Sequence, residues 1–301
     1  MGQGDHGRYV SVKIHLEPAC PLNLEATLCC GQAFRWEKQG EWWFGVVGQV
    51  PLKISKAGDE LRFENASTCF VRNYFSLDDN LPEILRRISK DSHVKGAVRE
   101  FAGLRILRQD PWECLVSYIC ATYKSIPAIK NMLLRLCTKF GDEVLFEGRS
   151  FHGFPTPKGL AQATVGELGE CGLGYRAIYV SETAKTMLET GLDFESLRRM
   201  PYEEARKTLL CLSGVGPKVA DCVLLFSLGK FEAFPVDVWM RRVILRHYAK
   251  HFPREFVSKM TCDKSLGNAG YERLSLFGRN YFGKYAGYAQ EHLYHYERMH
   301  G

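Results

Sequence analysis

Lys218 and Asp237 have the residue types and the settings that nucleophilic chemistry asks for. Lys218 follows Gly214-Val215-Gly216-Pro217 and opens an apolar helical run, Val219 to Leu228. A lysine in a first helical turn faces the unfavourable end of the helix dipole, and its amine can serve as a nucleophile. Asp237 follows nineteen residues later, in Phe234-Pro235-Val236-Asp237-Val238, just before another helical run from Trp239 to Tyr248. Its carboxylate reads in two ways: as an N-cap, which the position favours by itself, or as a charge that stabilises a developing cation. Lys218 also has a plainer reading, as a solvent-exposed residue of a first turn.

The elements around this pair must position it. Pro201 fits the first position of a helix from Tyr202 to Leu210, which runs into Leu212-Ser213-Gly214-Val215-Gly216-Pro217-Lys218 and then the apolar run. Two glycines separated by one apolar residue permit a tight hairpin with positive φ and close backbone approach. Gly216 and Pro217 open the second helix, whose exposed N–H groups can hold a phosphate. Residues 202–228 are thus a helix-hairpin-helix of the Leu-x-Gly-Val-Gly type. Such a hairpin holds a DNA backbone without reading its sequence. A lone G-x-G occurs in many ordinary loops; here it has a helix on each side, the Gly-Pro-Lys start and Asp237 beyond.

The whole chain has 301 residues, 46% hydrophobic and 25% charged, which suits one large or two modest globular domains. No apolar run approaches the roughly 18 to 20 residues of a membrane span, so no membrane association is expected. The opening MGQGDHGRYV has no basic stretch leading into an apolar one, so no secretory signal is read there and an intracellular protein is expected. The 11 cysteines contain no C-x-x-C pair, and only Cys262 lies beyond Cys222. That disfavours a disulfide framework, a zinc site and an iron–sulfur cluster, and most of these thiols read as small buried apolar residues. Net charge is +6, yet Arg241 to Lys284 holds ten lysines or arginines against Glu255, Asp263 and Glu272, leaving the remainder near neutral. A concentrated positive segment can track a phosphate backbone or simply form a solvated face.

Along the chain, residues 10 to 70 read as β structure. Val10, Val12, Ile14 and Leu16 alternate with polar residues, Trp42 to Val47 and Leu52 to Ser55 are short strand-like runs, and Ala57-Gly58-Asp59-Glu60 reads as a hairpin turn. Asn65-Ala66-Ser67 matches a glycosylation sequon that an intracellular chain leaves unmodified. Helical spacing begins near Leu81 with Ile84, Leu85 and Ile88, followed by a turn at Asp91-Ser92. It returns from Pro111 through Ile119 and again at Ile129, Met132, Leu133 and Leu136. Thr164-Val165-Gly166-Glu167 is a capping-box pattern. The expected fold class is α+β: a β-rich N-terminal domain over residues 1–105, its antiparallel sheet packed on a mostly helical domain over 106–301.

The hairpin, Lys218 and Pro235-Val236-Asp237 resemble the helix-hairpin-helix Gly/Pro-Asp DNA glycosylases. Within that superfamily, five stretches resemble the eukaryotic-type 8-oxoguanine DNA glycosylase/lyase. They are Cys30-Gly31-Gln32-Ala33-Phe34-Arg35-Trp36, Asp110-Pro111-Trp112-Glu113-Cys114-Leu115, Gly172-Leu173-Gly174-Tyr175-Arg176-Ala177, Lys218-Val219-Ala220-Asp221-Cys222 and Tyr285-Ala286-Gly287-Tyr288-Ala289-Gln290. They span nearly the whole chain in the family's order. The resemblance implies base flipping from damaged double-stranded DNA, because a glycosidic bond is inaccessible inside a duplex. It implies Lys218 as the nucleophile that forms a Schiff base and Asp237 as the stabilising carboxylate, so base removal is followed by strand nicking. Gly31 matches the glycine whose carbonyl accepts the N7 hydrogen of 8-oxoguanine, Gln290 the residue bonding the Watson–Crick edge, and Cys222 and Tyr294 the walls of the base pocket. Tyr294 stands where the family usually has Phe. Tyr175 and Arg176 match the wedge and the arginine at the gap that the flipped base leaves. No cofactor and no metal ligands are implied, although the family's hairpins often hold a monovalent cation on backbone carbonyls, here those around Leu210, Leu212 and Val215. A monomer is expected, in the nucleus of a eukaryote or in the cytoplasm or nucleoid of a prokaryote.

Three departures stand out. After Ser117-Tyr118-Ile119-Cys120 the family pattern has consecutive asparagines and then an arginine that reads the orphaned cytosine. This chain has Tyr123-Lys124-Ser125, and Ala128 where that arginine would stand. A weaker preference for cytosine opposite the lesion is therefore expected. Trp239 replaces a histidine and reads either as a stacking residue near the lesion's phosphate or as packing. Two competing functions remain: a glycosylase for another damaged purine, such as an alkylated one, and a non-catalytic hairpin protein that only clamps DNA. Gly31 and Gln290 disfavour the first, while Lys218 and Asp237 disfavour the second.

Overall fold

A computed structural model of the chain describes residues 11–263 and 265–301. Val10, read above as part of the first strand, lies outside the described residues, as do residues 1–9. The N-terminal part runs β1 (Val12–His15), α1 (Leu24–Cys29), β2 (Trp36–Gln39), β3 (Trp42–Val47), β4 (Val50–Ala57) and β5 (Glu60–Glu64). The strands form one antiparallel sheet in the order β1-β5-β4-β3-β2. Alternation decides which face is covered: Ile14 pairs with Leu61, and these two residues are buried together with Phe63 and Ile54. Ala57 pairs with Glu60 across Gly58-Asp59, and Gly58 takes the positive φ of a tight hairpin turn.

Continuous β structure from 10 to 70 needs correction at two points. Asn23 caps α1, its Oδ1 accepting the Ala26 N–H at 2.9 Å. Ser67 caps α2 (Thr68–Tyr74), its Oγ accepting the Phe70 N–H at 3.2 Å. The sequon is therefore a helix start, in which Asn65 takes a left-handed φ of 65° and donates to the Pro51 carbonyl at 2.8 Å. Short capped helices of six or seven residues are too brief for hydrophobic period to reveal them.

The helical body follows as α3 (Leu81–Ile88), α4 (Ser92–Glu100), α5 (Pro111–Ala121) and α6 (Ile126–Phe140). A two-stranded hairpin, β6 (Glu143–Phe146) and β7 (Arg149–His152), then interrupts the helices. After it come α7 (Pro157–Gln162), α8 (Val165–Glu170), α9 (Arg176–Thr190), α10 (Phe194–Arg199), α11 (Tyr202–Leu209), α12 (Pro217–Phe226) and α13 (Val238–His247). The chain ends with α14 (Arg254–Cys262), α15 (Asn268–Phe282) and α16 (Ala286–His300). The Asp91-Ser92 turn proves to be the N-cap of α4, and Thr164 and Glu167 form the expected reciprocal capping box at α8.

Two central helices, α5 and α12, are buried along nearly their whole length and carry the core on which the hairpin rests. Asp221 of α12 is fully buried and ties three helices together. Its Oδ1 accepts the Tyr202 hydroxyl at 2.6 Å and Arg206 Nε at 2.9 Å from α11, and its Oδ2 accepts the Tyr271 hydroxyl of α15 at 2.6 Å. A buried carboxylate is stable only with its charge and lone pairs satisfied this way. The sheet joins the body through Glu113 of α5, which accepts Arg35 Nη1 at 3.1 Å and the Gly48 N–H at 3.0 Å.

Candidate active site

The hairpin between α11 and α12 owes its shape to Gly214. This residue has φ of 73°, and a Cβ there would lie 2.6 Å from the Tyr179 Cβ, so both conformation and space demand glycine. Gly216 differs from the expected positive φ. It is the N-cap of α12 with φ −87° and ψ 179°, and open space surrounds its α-carbon. No side chain caps α12, so the N–H groups of its first turn are free to meet an anion. The Leu212 carbonyl accepts the Val215 N–H at 3.2 Å; a carbonyl has two lone pairs, so this is compatible with a bound cation.

Lys218 stands in the first turn of α12 and points to a cleft of about 670 Å³. Asp237, N-cap of α13, lines the same cleft. Its Oδ1 accepts the N–H groups of Trp239 and Met240, both at 2.9 Å, so the capping reading is correct as far as it goes. Both bonds fall on Oδ1, leaving the other carboxylate oxygen for the cleft. Among the described residues Lys218 Nζ has neither a hydrogen bond nor an ion pair, an unusual state for a half-buried lysine.

Gly31, Cys222, Gln290, Tyr294 and Trp239 line this cleft as well. Cys222 lies one turn beyond Lys218 on the same helix face and is 3% exposed; burial pushes its thiol pKa up. It is a neutral wall and not a second nucleophile. Gln290 and Tyr294 share one face of α16 at i, i+4, and the buried Gln290 Oε1 has no hydrogen-bond partner among the described residues. Such an acceptor is costly unless a ligand supplies a donor. Gly31 has φ of 104°, and a Cβ there would come within 3.2 Å of Arg298 Nη1 and Ile126 Cδ1. The Trp239 ring is half-buried with the Arg242 guanidinium 5.0 Å from its centre, so it packs and faces the cleft at once.

Tyr175 and Arg176 do not line the cleft. Tyr175 is 52% exposed, whereas Arg176 is buried, donating to the Thr122 carbonyl, with its guanidinium 4.3 Å from the Tyr175 ring centre. Arg176 therefore braces the turn after α5 and supports Tyr175 from beneath.

Three groups in this region escaped the sequence reading. Glu291 is 2% exposed and lines the cleft beside the Cys30 thiol; its Oε1 has no partner among the described residues, and burial pushes its carboxyl up to about 7. Arg298 donates from Nη1 to the Cys30 carbonyl at 2.6 Å and so frames Gly31. The Tyr118 hydroxyl, kept protonated by burial, lies 3.5 Å from the Gly31 carbonyl and 3.2 Å from that of Gln32. Glu291, Tyr294 and Arg298 recur at i, i+3 and i+7, so helical spacing alone places them on one face of α16. Of the ten basic residues between Arg241 and Lys284, Arg246 pairs with Glu297 and Arg279 with Glu203, so part of that charge is held within the fold.

An uncapped hairpin helix, an unpaired lysine and a carboxylate thus share one cleft with room for a purine, the arrangement expected of the helix-hairpin-helix class of base-excision repair protein. Residues 116–255 match the HhH-GPD superfamily base excision DNA repair protein family, and residues 14–115 match the 8-oxoguanine DNA glycosylase N-terminal domain. The N-glycosylase/DNA lyase of Saccharomyces cerevisiae is 32% identical over 91% of this chain and 82% of its own length. The N-glycosylase/DNA lyase OGG1 of Arabidopsis thaliana is 31% identical over 91% of this chain and 76% of its own. The apo crystal structure of the Clostridium acetobutylicum 8-oxoguanine glycosylase/lyase superposes with a TM-score of 0.85 at 31% identity, covering 95% of this chain and 96% of that one. The chain belongs to the 8-oxoguanine DNA glycosylase/lyase family.

Proposed function

We propose that this chain is a bifunctional DNA glycosylase and lyase that flips 8-oxoguanine out of duplex DNA, removes it and nicks the strand. The unpaired Lys218 on the same cleft as Asp237 carries this reading. The Lys218 amine attacks C1′ of the deoxyribose, and the N-glycosidic bond breaks, its electron pair leaving with the base, which takes up a proton. The free Asp237 oxygen faces the positive charge that develops on the sugar. The resulting N,O-acetal opens to a Schiff base as the C1′–O4′ bond breaks and O4′ takes the proton that the nitrogen gives up; a base then removes a C2′ proton, and the C3′–O bond breaks to release the 3′ phosphate by β-elimination. A monofunctional enzyme would use water and would have no use for a lysine here.

Lesion choice rests on the Gly31 carbonyl. It accepts the N7 hydrogen of 8-oxoguanine, whereas the N7 lone pair of guanine would repel it and leave it unpaired. Gln290 Oε1 takes a donor from the Watson–Crick edge, and Cys222 and Tyr294 wall the ring. Tyr175, braced by Arg176, enters the gap in the duplex, and the α12 N-terminus at Gly214–Gly216 holds a phosphate with Trp239 nearby. The chemistry asks for no cofactor and no catalytic metal; a monovalent cation on the hairpin carbonyls would be structural. The enzyme acts as a monomer. It works wherever the host's DNA lies, in a nucleus, nucleoid or cytoplasm.

Single-turnover assays with borohydride trapping on duplexes carrying one defined lesion test the reading. Excision of 8-oxoguanine opposite C, A, G and T, with nicking and a trapped adduct, is the expected outcome. Cleavage of the C pair alone would remove the relaxed opposite-base claim. Release of an alkylated purine instead, or binding without release, would replace this function.

A further inference from the structure

Tyr123 follows α5 at a position where the chain turns left-handed. Its φ is 55°, directly after the Thr122 C-cap, and the Lys124 N–H closes the turn on the Ala121 carbonyl at 3.2 Å. Glycine or asparagine is the usual occupant of such a position, because other side chains meet their own backbone there. Packing offers no reason for tyrosine: its side chain is 82% exposed. The turn is held from outside instead, by Arg176 donating to the Thr122 carbonyl. A residue in a costly conformation, enforced by its neighbours and unsupported by burial, is the pattern that functional sites show. Tyr123 lines the cleft, yet stands at its open rim and not among the buried groups around Gly31 and Cys222.

We infer that Tyr123 is a specificity-determining residue whose ring stacks on the base opposite the lesion and so reads that base as a flat surface, whatever its identity. This rests on the proposed function. Through Thr122 and Arg176 the rim is tied to Tyr175, the residue assigned to the gap in the duplex. Ala128 offers only a methyl group where an arginine would read cytosine by hydrogen bonds. Every base presents a π-face, so stacking is sequence-tolerant where hydrogen-bond reading is not. A loss of base-specific donors and a gain of an exposed ring thus belong to one change in recognition.

Tyr123→Gly separates function from folding, since glycine relieves the positive φ. It is expected to melt at or above the wild-type temperature and yet to lose about tenfold or more in single-turnover excision opposite C, A, G and T alike. Opposite a tetrahydrofuran abasic analogue, where no base remains to stack on, variant and wild type should cut 8-oxoguanine at equal rates. Tyr123→Phe keeps the ring and should recover most of the loss. A lower melting temperature, a loss confined to one pair, a loss that persists opposite tetrahydrofuran, or no loss at all would overturn the inference alone. A wild type that leaves 8-oxoguanine intact in every pair would overturn the proposed function and this inference together.

Discussion

In the proposed mechanism Asp237 serves folding and chemistry through different oxygens, so its substitutions can separate the two roles. Asp237→Asn keeps an Oδ1 that can cap α13 through Trp239 and Met240. Its melting temperature should stay close to wild type while excision falls about 100-fold or more, because the charge facing the sugar is gone. Asp237→Ala should add a stability loss of about 1 kcal/mol from the missing cap. Parallel thermal denaturation and single-turnover kinetics check both, and an active Asp237→Asn would reduce the residue to a cap. Gly31→Ala is the corresponding test of the proposed lesion reader. A methyl group would press on Arg298 and Ile126 in a strained backbone at φ of 104°. It should cost about 1 to 3 kcal/mol and should narrow the preference for 8-oxoguanine over guanine in competition assays.

At the scale of elements, α16 combines cleft-lining residues with three buried titrating groups. Burial raises Glu291 from an ordinary 4.5 to about 7 and lowers His292 and His295 to about 4. A raised carboxyl contributes stability that is complete below its unfolded value and lost as pH climbs from about 4.5 through 7. The depressed histidines contribute stability above about 6.5 that is lost as pH falls toward 4. Glu291→Gln should therefore lose little or no stability at pH 8 compared with its loss at pH 5, as urea titrations at the two values would show. An identical loss at both would mean that Glu291 does not titrate in this window.

How much of these elements could be read beforehand depended on length and cap chemistry. The sheet, the long helices and the hairpin announced themselves through alternation, helical spacing and Gly-x-Gly-Pro. The short helices α1 and α2 did not, although Asn23 and Ser67 were visible caps. The β6–β7 hairpin, four residues per strand, left too short a pattern to detect. Within the cleft, residues of the quoted motifs were legible, whereas Glu291, Arg298 and Tyr118 matter through contacts made across the fold. Arg176 shows the reverse limit: the resemblance set it at the gap left by the flipped base, and only packing reveals that its guanidinium is turned inward.

For the whole molecule, the hairpin depends on a charge buried within the helical body. Asp221 holds α11, α12 and α15 in one arrangement, and Asp221→Ala would strand Arg206, 8% exposed, without its buried counter-charge. A loss of about 3 to 5 kcal/mol is expected by chemical denaturation, whereas a neutral outcome would mean that Glu272, which also pairs with Arg206, satisfies it alone. In the proposed mechanism one amine and one carboxylate meet the same sugar carbon. Borohydride reduction of the complex with an 8-oxoguanine duplex, followed by tryptic digestion and mass spectrometry, locates the attacking nitrogen. The expected DNA remnant sits on the peptide carrying Lys218; attachment to any other amine, or base release with no adduct at all, would contradict the mechanism.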